Sequence, residues 1–305
     1  MIEFQNASRW YGEVIGMNDI TCTIPAGVTA LLGQNGAGKS TLLKVLTGQL
    51  RPTTGKVLVK GMEPFANPEV HRIMGYCPEI DNFYEDMTGR AFVNHLARLH
   101  GLSKEVAEKR TEEKLIMVGM AERAAGKIRG YSKGMRQRIK LAQAMLHNPD
   151  IILLDEPLNG LDPVGRRDLM NLLGQLGSQG KAIVVSSHIL FEVEQMTRNI
   201  LLLHRGRLLA SGDLRTIREL IDKFPHRVSI ETETPNELAS ALVRLPFVTN
   251  LSFEPTNKCI EIQTRDLDKF FTELQHVILA GGVRVTGFTS PDNNLESIYQ
   301  YLVEA

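Results

Sequence analysis

Long apolar runs are absent: none exceeds four residues. A helix needs roughly 20 mostly apolar residues to cross a hydrocarbon core, so the chain is expected to span no bilayer and to meet a membrane only through a partner. An excess of one charge sign is also missing, since Lys+Arg and Asp+Glu both number 35. That withholds the basic field on which phosphate-backbone binding draws, and no nucleic-acid partner is expected. Cysteine is scarce: Cys22, Cys77 and Cys259 lie far apart with no Cys-x-x-Cys pair. Neither a zinc spacing nor a disulfide framework fits, and each is read as a small buried apolar residue. The opening Met1-Ile2-Glu3-Phe4 lacks a basic stretch leading into an apolar one, so a cytoplasmic location is expected. What remains, 43 % hydrophobic and 23 % charged residues, is an ordinary globular composition and too apolar for disorder.

At 305 residues the chain exceeds the size, ~250–300 residues, at which single cores stop growing, and two domains are expected. Ile20 to Ile24 leads into Pro25-Ala26-Gly27, and Lys56 to Lys60 sits between Gly55 and Gly61, as short strands bounded by turn signals do. Ile151 to Leu154 and Ala182 to Val185 are continuous apolar runs, each followed by a polar loop and a helical pattern. Such runs predict an α/β domain with a parallel sheet covered on both faces. Residues from about 88 to 145 are rich in helix formers and lack strand alternation, which marks a helical insertion.

A helix-like pattern beginning near residue 213 (Leu214, Ile217, Leu220, Ile221) stops at Pro225, whose missing N–H and fixed φ end a helix. The boundary is placed there, giving domains 1–222 and 225–305. Beyond it the pattern predicts a strand at 227–232, a helix at 235–244, strands at 247–253 and 259–264, a helix at 266–280 and a strand at 283–289. That β-α-β-β-α-β order is a small α+β, ferredoxin-like arrangement. A last helix would carry Leu295, Ile298, Tyr299 and Leu302 as one apolar stripe facing a partner surface.

Chemistry concentrates in two places. Gly33-Gln34-Asn35-Gly36-Ala37-Gly38-Lys39-Ser40 follows an apolar strand, Val28 to Leu32, and precedes Thr41-Leu42-Leu43, which is the phosphate-loop pattern in its required context. Its glycines let backbone N–H groups curl around a phosphate at a helix N-terminus, Lys39 reaches the β- and γ-phosphates, and the Ser40 hydroxyl suits Mg2+. Ile151 to Leu154 ends in Asp155-Glu156, two carboxylates at the carboxyl end of a parallel strand, where α/β ligands bind. Asp155 is expected to hold the metal, and Glu156 to accept a proton from attacking water.

With Tyr131-Ser132-Lys133-Gly134-Met135 between these motifs, residues 1 to about 220 resemble the ATP-binding subunit of an ATP-binding-cassette (ABC) transporter. The pentapeptide resembles the family's Leu-Ser-Gly-Gly-Gln signature, departing from it at Lys133 and Met135. The resemblance implies a P-loop NTPase cassette with an antiparallel β subdomain and a helical subdomain. It also implies a head-to-tail dimer, as a homodimer or with a second cassette, in which Ser132 and Gly134 of one subunit close over ATP held by Gly33, Asn35, Gly36, Gly38, Lys39, Ser40 and Thr41 of the other. His188, after the strand Ala182 to Ser187, resembles the switch histidine at the γ-phosphate. Asp162, in Leu158-Asn159-Gly160-Leu161-Asp162, would act across the dimer. Tyr11 matches the aromatic that stacks on adenine, although Trp10 competes from the opposite strand face.

Glu79, in Cys77-Pro78-Glu79, occupies the position of the family's Gln loop. It keeps an oxygen ligand for the metal and adds a negative charge. Ile80-Asp81-Asn82-Phe83-Tyr84 places aromatics in a polar loop, which suits a docking face. The expected function is ATP hydrolysis driving an exporter of the family, exporter-type by its Ser-Lys-Gly-Met signature, with transmembrane permease subunits as separate chains. The chain would sit peripherally on the inner face of the cytoplasmic membrane. A soluble cassette acting on ribosomes or DNA is the rival, disfavoured by a single cassette, no sustained heptads and neutral charge. The C-terminal domain is expected either to reinforce the dimer or to regulate turnover.

Overall fold

The computed structural model describes residues 1–214, 217, 225–253, 258–280 and 283–290. It divides into two compact units, Met1–Asp213 and Leu214–Ala305. The division falls earlier than the expected 222 because Asp213 ends the last strand of the larger unit's main sheet. Most of the helix expected before Pro225 lies outside the described residues.

In the larger unit, β1 (Ile2–Tyr11), β2 (Val14–Ile24) and β4 (Thr54–Val59) form an antiparallel sheet in the order β2-β1-β4. The main sheet takes β3 (Gly27–Leu32), β5 (Met74–Cys77), β6 (Ile151–Leu154), β7 (Ala182–Ser187), β8 (Asn199–His204) and β9 (Arg207–Asp213) in the order β5-β6-β7-β3-β8-β9. Five of these strands run parallel, as expected, and β9 runs antiparallel to β8. The reason is local: Arg205 and Gly206 both take positive φ, 45° and 80°. A two-residue turn of that kind closes a hairpin and cannot carry a parallel crossover.

Successive residues of a strand face opposite sides, and both sides of this sheet are covered. Ile152, Leu154, Ile183 and Val185 join a core with the helical layer, while Ile151, Leu153, Ala182 and Val184 join a second core that includes Leu31, Leu42 and Leu46. The helical insertion contains α3 (Gly89–Leu99), α4 (Lys104–Met117) and α5 (Lys133–Ala144), after α1 (Lys39–Leu46) and α2 (Pro68–Arg72). Side-chain oxygens of Thr88, Ser103 and Ser132 cap the three insertion helices, satisfying N–H groups that a helix start leaves unpaired. α6 (Pro163–Ser178) and α7 (Leu190–Met196) complete the unit. Cys22, Cys77 and Cys259 are buried free thiols. Burial pushes Cys77 up to about 12 and Cys22 up to about 11, so both stay un-ionised at neutral pH.

In the smaller unit, β10 (His226–Thr232), α8 (Pro235–Leu242), β11 (Val248–Phe253), β12 (Cys259–Thr264), α9 (Leu267–Leu279) and β13 (Val285–Thr289) follow the expected element order. Their antiparallel sheet has the order β11-β12-β10-β13. Val228, Ile230, Ile260 and Ile262 pack against Leu238, Leu242, Phe270 and Leu274 of the two helices. The expected last helix, with Leu295, Ile298, Tyr299 and Leu302, lies outside the described residues. Among the described residues no helix is long and apolar enough to cross a membrane.

Candidate active site

The buried strand β3 delivers the chain into the phosphate loop, and α1 starts at Lys39. Gly38 caps that helix with φ 106°, a left-handed conformation that side chains disfavour. A Cβ there would also strike the Gly16 carbonyl at 2.5 Å. Lys39 is 7 % exposed; its Nζ donates to the Gly33 carbonyl at 2.6 Å and lies 3.6 Å from Glu156 Oε1. The loop's N–H groups and this buried cation form a concave anion site.

Across the cleft, Asp155 and Glu156 follow β6 directly. Ser186 on β7 donates its hydroxyl to Asp155 Oδ1 at 2.7 Å and accepts the Glu156 backbone N–H at 2.8 Å. Glu156 itself takes φ 49°, a strained value for a residue with a side chain. Its Oε2 lies 2.9 Å from His188 Nδ1. An ionised carboxylate only accepts, so His188 donates from Nδ1 and keeps Nε2 free. Burial raises the Glu156 carboxyl above its ordinary value, while His188 and then Lys39 pull it back.

A cleft of about 250 Å³ joins these groups. Asn35, Gly36, Gly38, Lys39, Ser40 and Thr41 line one wall, and Glu79, Asp155, Glu156 and His188 complete it. Gly33 contributes its carbonyl to Lys39 from behind. Tyr11 stands beside the cleft, half exposed, with its hydroxyl 3.4 Å from Thr41 Oγ1. Its ring edge reaches Gly16, where a Cβ would meet Tyr11 Cε2 at 2.6 Å, and the Arg9 guanidinium stands over one ring face at 5.2 Å. Trp10 is exposed to a similar degree, and its backbone N–H donates to Thr53 Oγ1.

Ser132, Gly134 and Asp162 do not line this cleft. They gather where the start of α5 meets the loop entering α6, and Lys133 there shares a second hollow with Glu79, Glu156 and Asn159. Ser132 is exposed and caps α5 by accepting the Met135 N–H at 3.3 Å. A Cβ on Gly134 would come within 3.3 Å of the Gly160 carbonyl, and the methylenes of Lys133 cover Gly160. Asp162, also exposed, caps α6 by accepting the Gly165 N–H at 3.2 Å.

The sequence profile described as "ABC transporter" matches residues 17–159. The chain is 33 % identical to the ABC transporter ATP-binding protein YxlF of Bacillus subtilis (strain 168) over 276 residues, covering 90 % of each. The chain belongs to the ABC transporter family, as an ATP-binding subunit. It is also 30 % identical to the bacitracin transport ATP-binding protein BcrA of Enterococcus faecalis over 309 residues, covering 99 % of this chain and 96 % of that one. Among solved structures, the dimeric, post-hydrolysis cassette MJ0796 bound to ADP and Pi superposes with a TM-score of 0.64 at 27 % identity, covering 70 % of this chain and 99 % of that one. This cassette is thus an ATPase.

Three of the cleft's contributors were given no role by the motifs. Ser186, fully buried, joins the two carboxylates; its only sequence signal is a serine pair ending an apolar strand. Asn159 and Gly16 line the cleft, Gly16 from a strand remote in sequence.

His188 sets one prediction. Because it lowers the Glu156 pKa both by charge and by hydrogen bond, His188→Ala raises it further. In the role expected for it Glu156 works ionised, so activity is lost as pH falls through that pKa. The acid limb of the cassette's pH–rate profile is expected at higher pH in the variant, with a lower plateau. An unmoved limb would show that the pair does not govern turnover.

Proposed function

We propose that this cassette powers an ABC exporter whose membrane-spanning subunits are separate chains, and that it works as one half of a head-to-tail pair. The observation carrying this reading is the separation of two half-sites in one unit. The phosphate loop and carboxylates line a cleft, whereas Ser132, Gly134 and Asp162 are not among its lining residues. The start of α5 offers free N–H groups and positive dipole, a second anion site that the first has no use for. A second copy or a paired cassette puts it over the first copy's nucleotide, an arrangement supported by the dimeric relative.

Within each composite site, the N–H groups of Asn35 to Ser40 and Nζ of Lys39 bind the phosphates of ATP, and Tyr11 stacks on adenine. Ser132 and Gly134 of the facing subunit close over the γ-phosphate, and Asp162 acts across the interface. Ser40, Asp155 and Glu79 are oxygen donors lining one cleft, a set whose chemistry fits Mg2+. The ion, when bound, neutralises charge between the β- and γ-phosphates. Glu156 accepts a proton from the attacking water, and His188 steadies that carboxylate from Nδ1 while presenting Nε2 to the γ-phosphate. ATP closes the pair, and hydrolysis with phosphate release reopens it.

Transport is supported by the bacitracin transport relative, which aligns along almost the whole chain, and the outward direction rests on the resemblance of the Ser132-Lys133-Gly134-Met135 signature to that of exporters. The exposed Ile80 and Tyr84, on the loop that also carries Glu79, suit docking to a permease at the inner face of the cytoplasmic membrane. The test is affinity capture of the tagged chain from solubilised membranes. A polytopic membrane protein in stoichiometric yield is expected, and ribosomes in its place would contradict the reading. The smaller unit is assigned to reinforcing the pair, since no metal cluster occurs among its described residues and it carries no phosphate loop. Deleting residues 225–305 is expected to weaken ATP-dependent dimerisation; an unchanged dimer with altered turnover would make the unit regulatory.

A further inference from the structure

We propose that Lys140 is a positioning residue for ATP turnover: from the signature helix α5 it holds the turn that aims Glu79 into the nucleotide cleft. The inference rests on Glu79 serving that cleft, as read above. Lys133, Arg136, Gln137 and Lys140 recur at i, i+3, i+4 and i+7 along α5, so they share one face of the helix. Three of them grip residues 77–85. Gln137 Nε2 reaches Cys77 Sγ at 3.6 Å. Arg136 makes a two-pronged bond to Glu85 at 2.6 and 2.8 Å and lies 5.8 Å from the Phe83 ring centre.

Lys140 makes three contacts to this segment. It is 3 % exposed, and its Nζ donates to the Pro78 carbonyl at 3.0 Å, the Glu79 carbonyl at 2.8 Å and Asp81 Oδ1 at 2.8 Å. An ammonium has three donors, and all three are used on one turn. A buried cation is tolerated only when paired and hydrogen-bonded. The geometry is therefore over-determined: moving the turn leaves a buried charge without acceptors. The Glu79 carboxylate, by contrast, makes no hydrogen bond or ion pair among the described residues. Its direction is set through its backbone, and the backbone is set by Lys140. Because Ser132 starts the same helix, any shift of this turn passes to the surface that faces the second subunit.

The test uses the full-length chain and two readouts, amide hydrogen exchange of the 77–85 segment without nucleotide and steady-state ATPase against Mg2+. Lys140→Met is expected to raise exchange in that segment and to lower kcat by ~10-fold or more, since small misplacements of a site group cost up to ~100-fold. KM for ATP should change less than about twofold, because the phosphate loop is untouched. Lys140→Arg, which keeps the charge, should recover part of the loss. Asp81→Asn, on a half-exposed partner, should act in the same direction more weakly and decides the matter should Lys140→Met fail to fold. Glu79→Ala should cost little further once Lys140 is replaced. The proposal is overturned if exchange and kcat stay at parental values, or if Glu79→Ala costs the same factor with and without Lys140. If Glu79→Ala leaves the Mg2+ demand of the parent unchanged while Lys140→Met still loosens the turn and slows turnover, the metal role of Glu79 falls and the positioning role stands.

Discussion

Glu156→Gln is expected to stop turnover while leaving ATP bound. The substitution keeps the size and polarity of a side chain that is 8 % exposed, and its amide oxygen can still accept from His188 or from Lys39. It removes the carboxylate proposed to take a proton from water beside the phosphate loop. General-base contributions run about 10²–10⁴-fold, so kcat should fall by about 10³. ATP affinity should rise if anything, because a negative charge has left the vicinity of the γ-phosphate. With hydrolysis blocked, the ATP-bound closed pair should accumulate and scatter light at twice the monomer mass. A variant that hydrolyses at the parental rate, or stays monomeric in saturating ATP, would refute the role given to Glu156.

Lys39→Ala acts at the other end of the same chemistry and should cost binding itself. Lys39 Nζ is held at 2.6 Å by the Gly33 carbonyl and at 3.6 Å by Glu156, poised beneath the N–H groups of the loop. Hydrogen bonds to charged groups contribute about 1.5–3 kcal/mol, and 1.4 kcal/mol is tenfold in affinity. A fluorescent ATP analogue should therefore bind about 10- to 100-fold more weakly, and turnover should fall to background. Affinity within twofold of the parent would mean that the backbone cradle alone carries the phosphates.

Much of this arrangement is legible in the sequence. The phosphate loop, the carboxylate strand and the strand before His188 are contiguous segments, so their spacing alone locates them. The small unit's elements match closely because its strands alternate and Pro235 opens a helix. Less legible were contacts joining residues far apart in the chain. β9 was not separable from the parallel strands, since its direction depends on the turn at Arg205-Gly206. Ser186 gains its role only from the pairing of β7 with β6. Lys140 carries no signal in the sequence, because nothing in α5 says that residues 78–81 fold back onto it. The domain boundary was set by a proline, whereas the contacts follow the end of β9.

The central claim is that one chain holds only part of each site and that a second must supply the rest. The most direct measurement is specific ATPase activity of the parent chain, at saturating ATP, across a wide dilution series. Activity per molecule is expected to fall as the pair dissociates and to be restored by adding back a chain impaired only at the phosphate loop. Activity per molecule that stays constant to the lowest concentration, with monomers alone in solution, would contradict it.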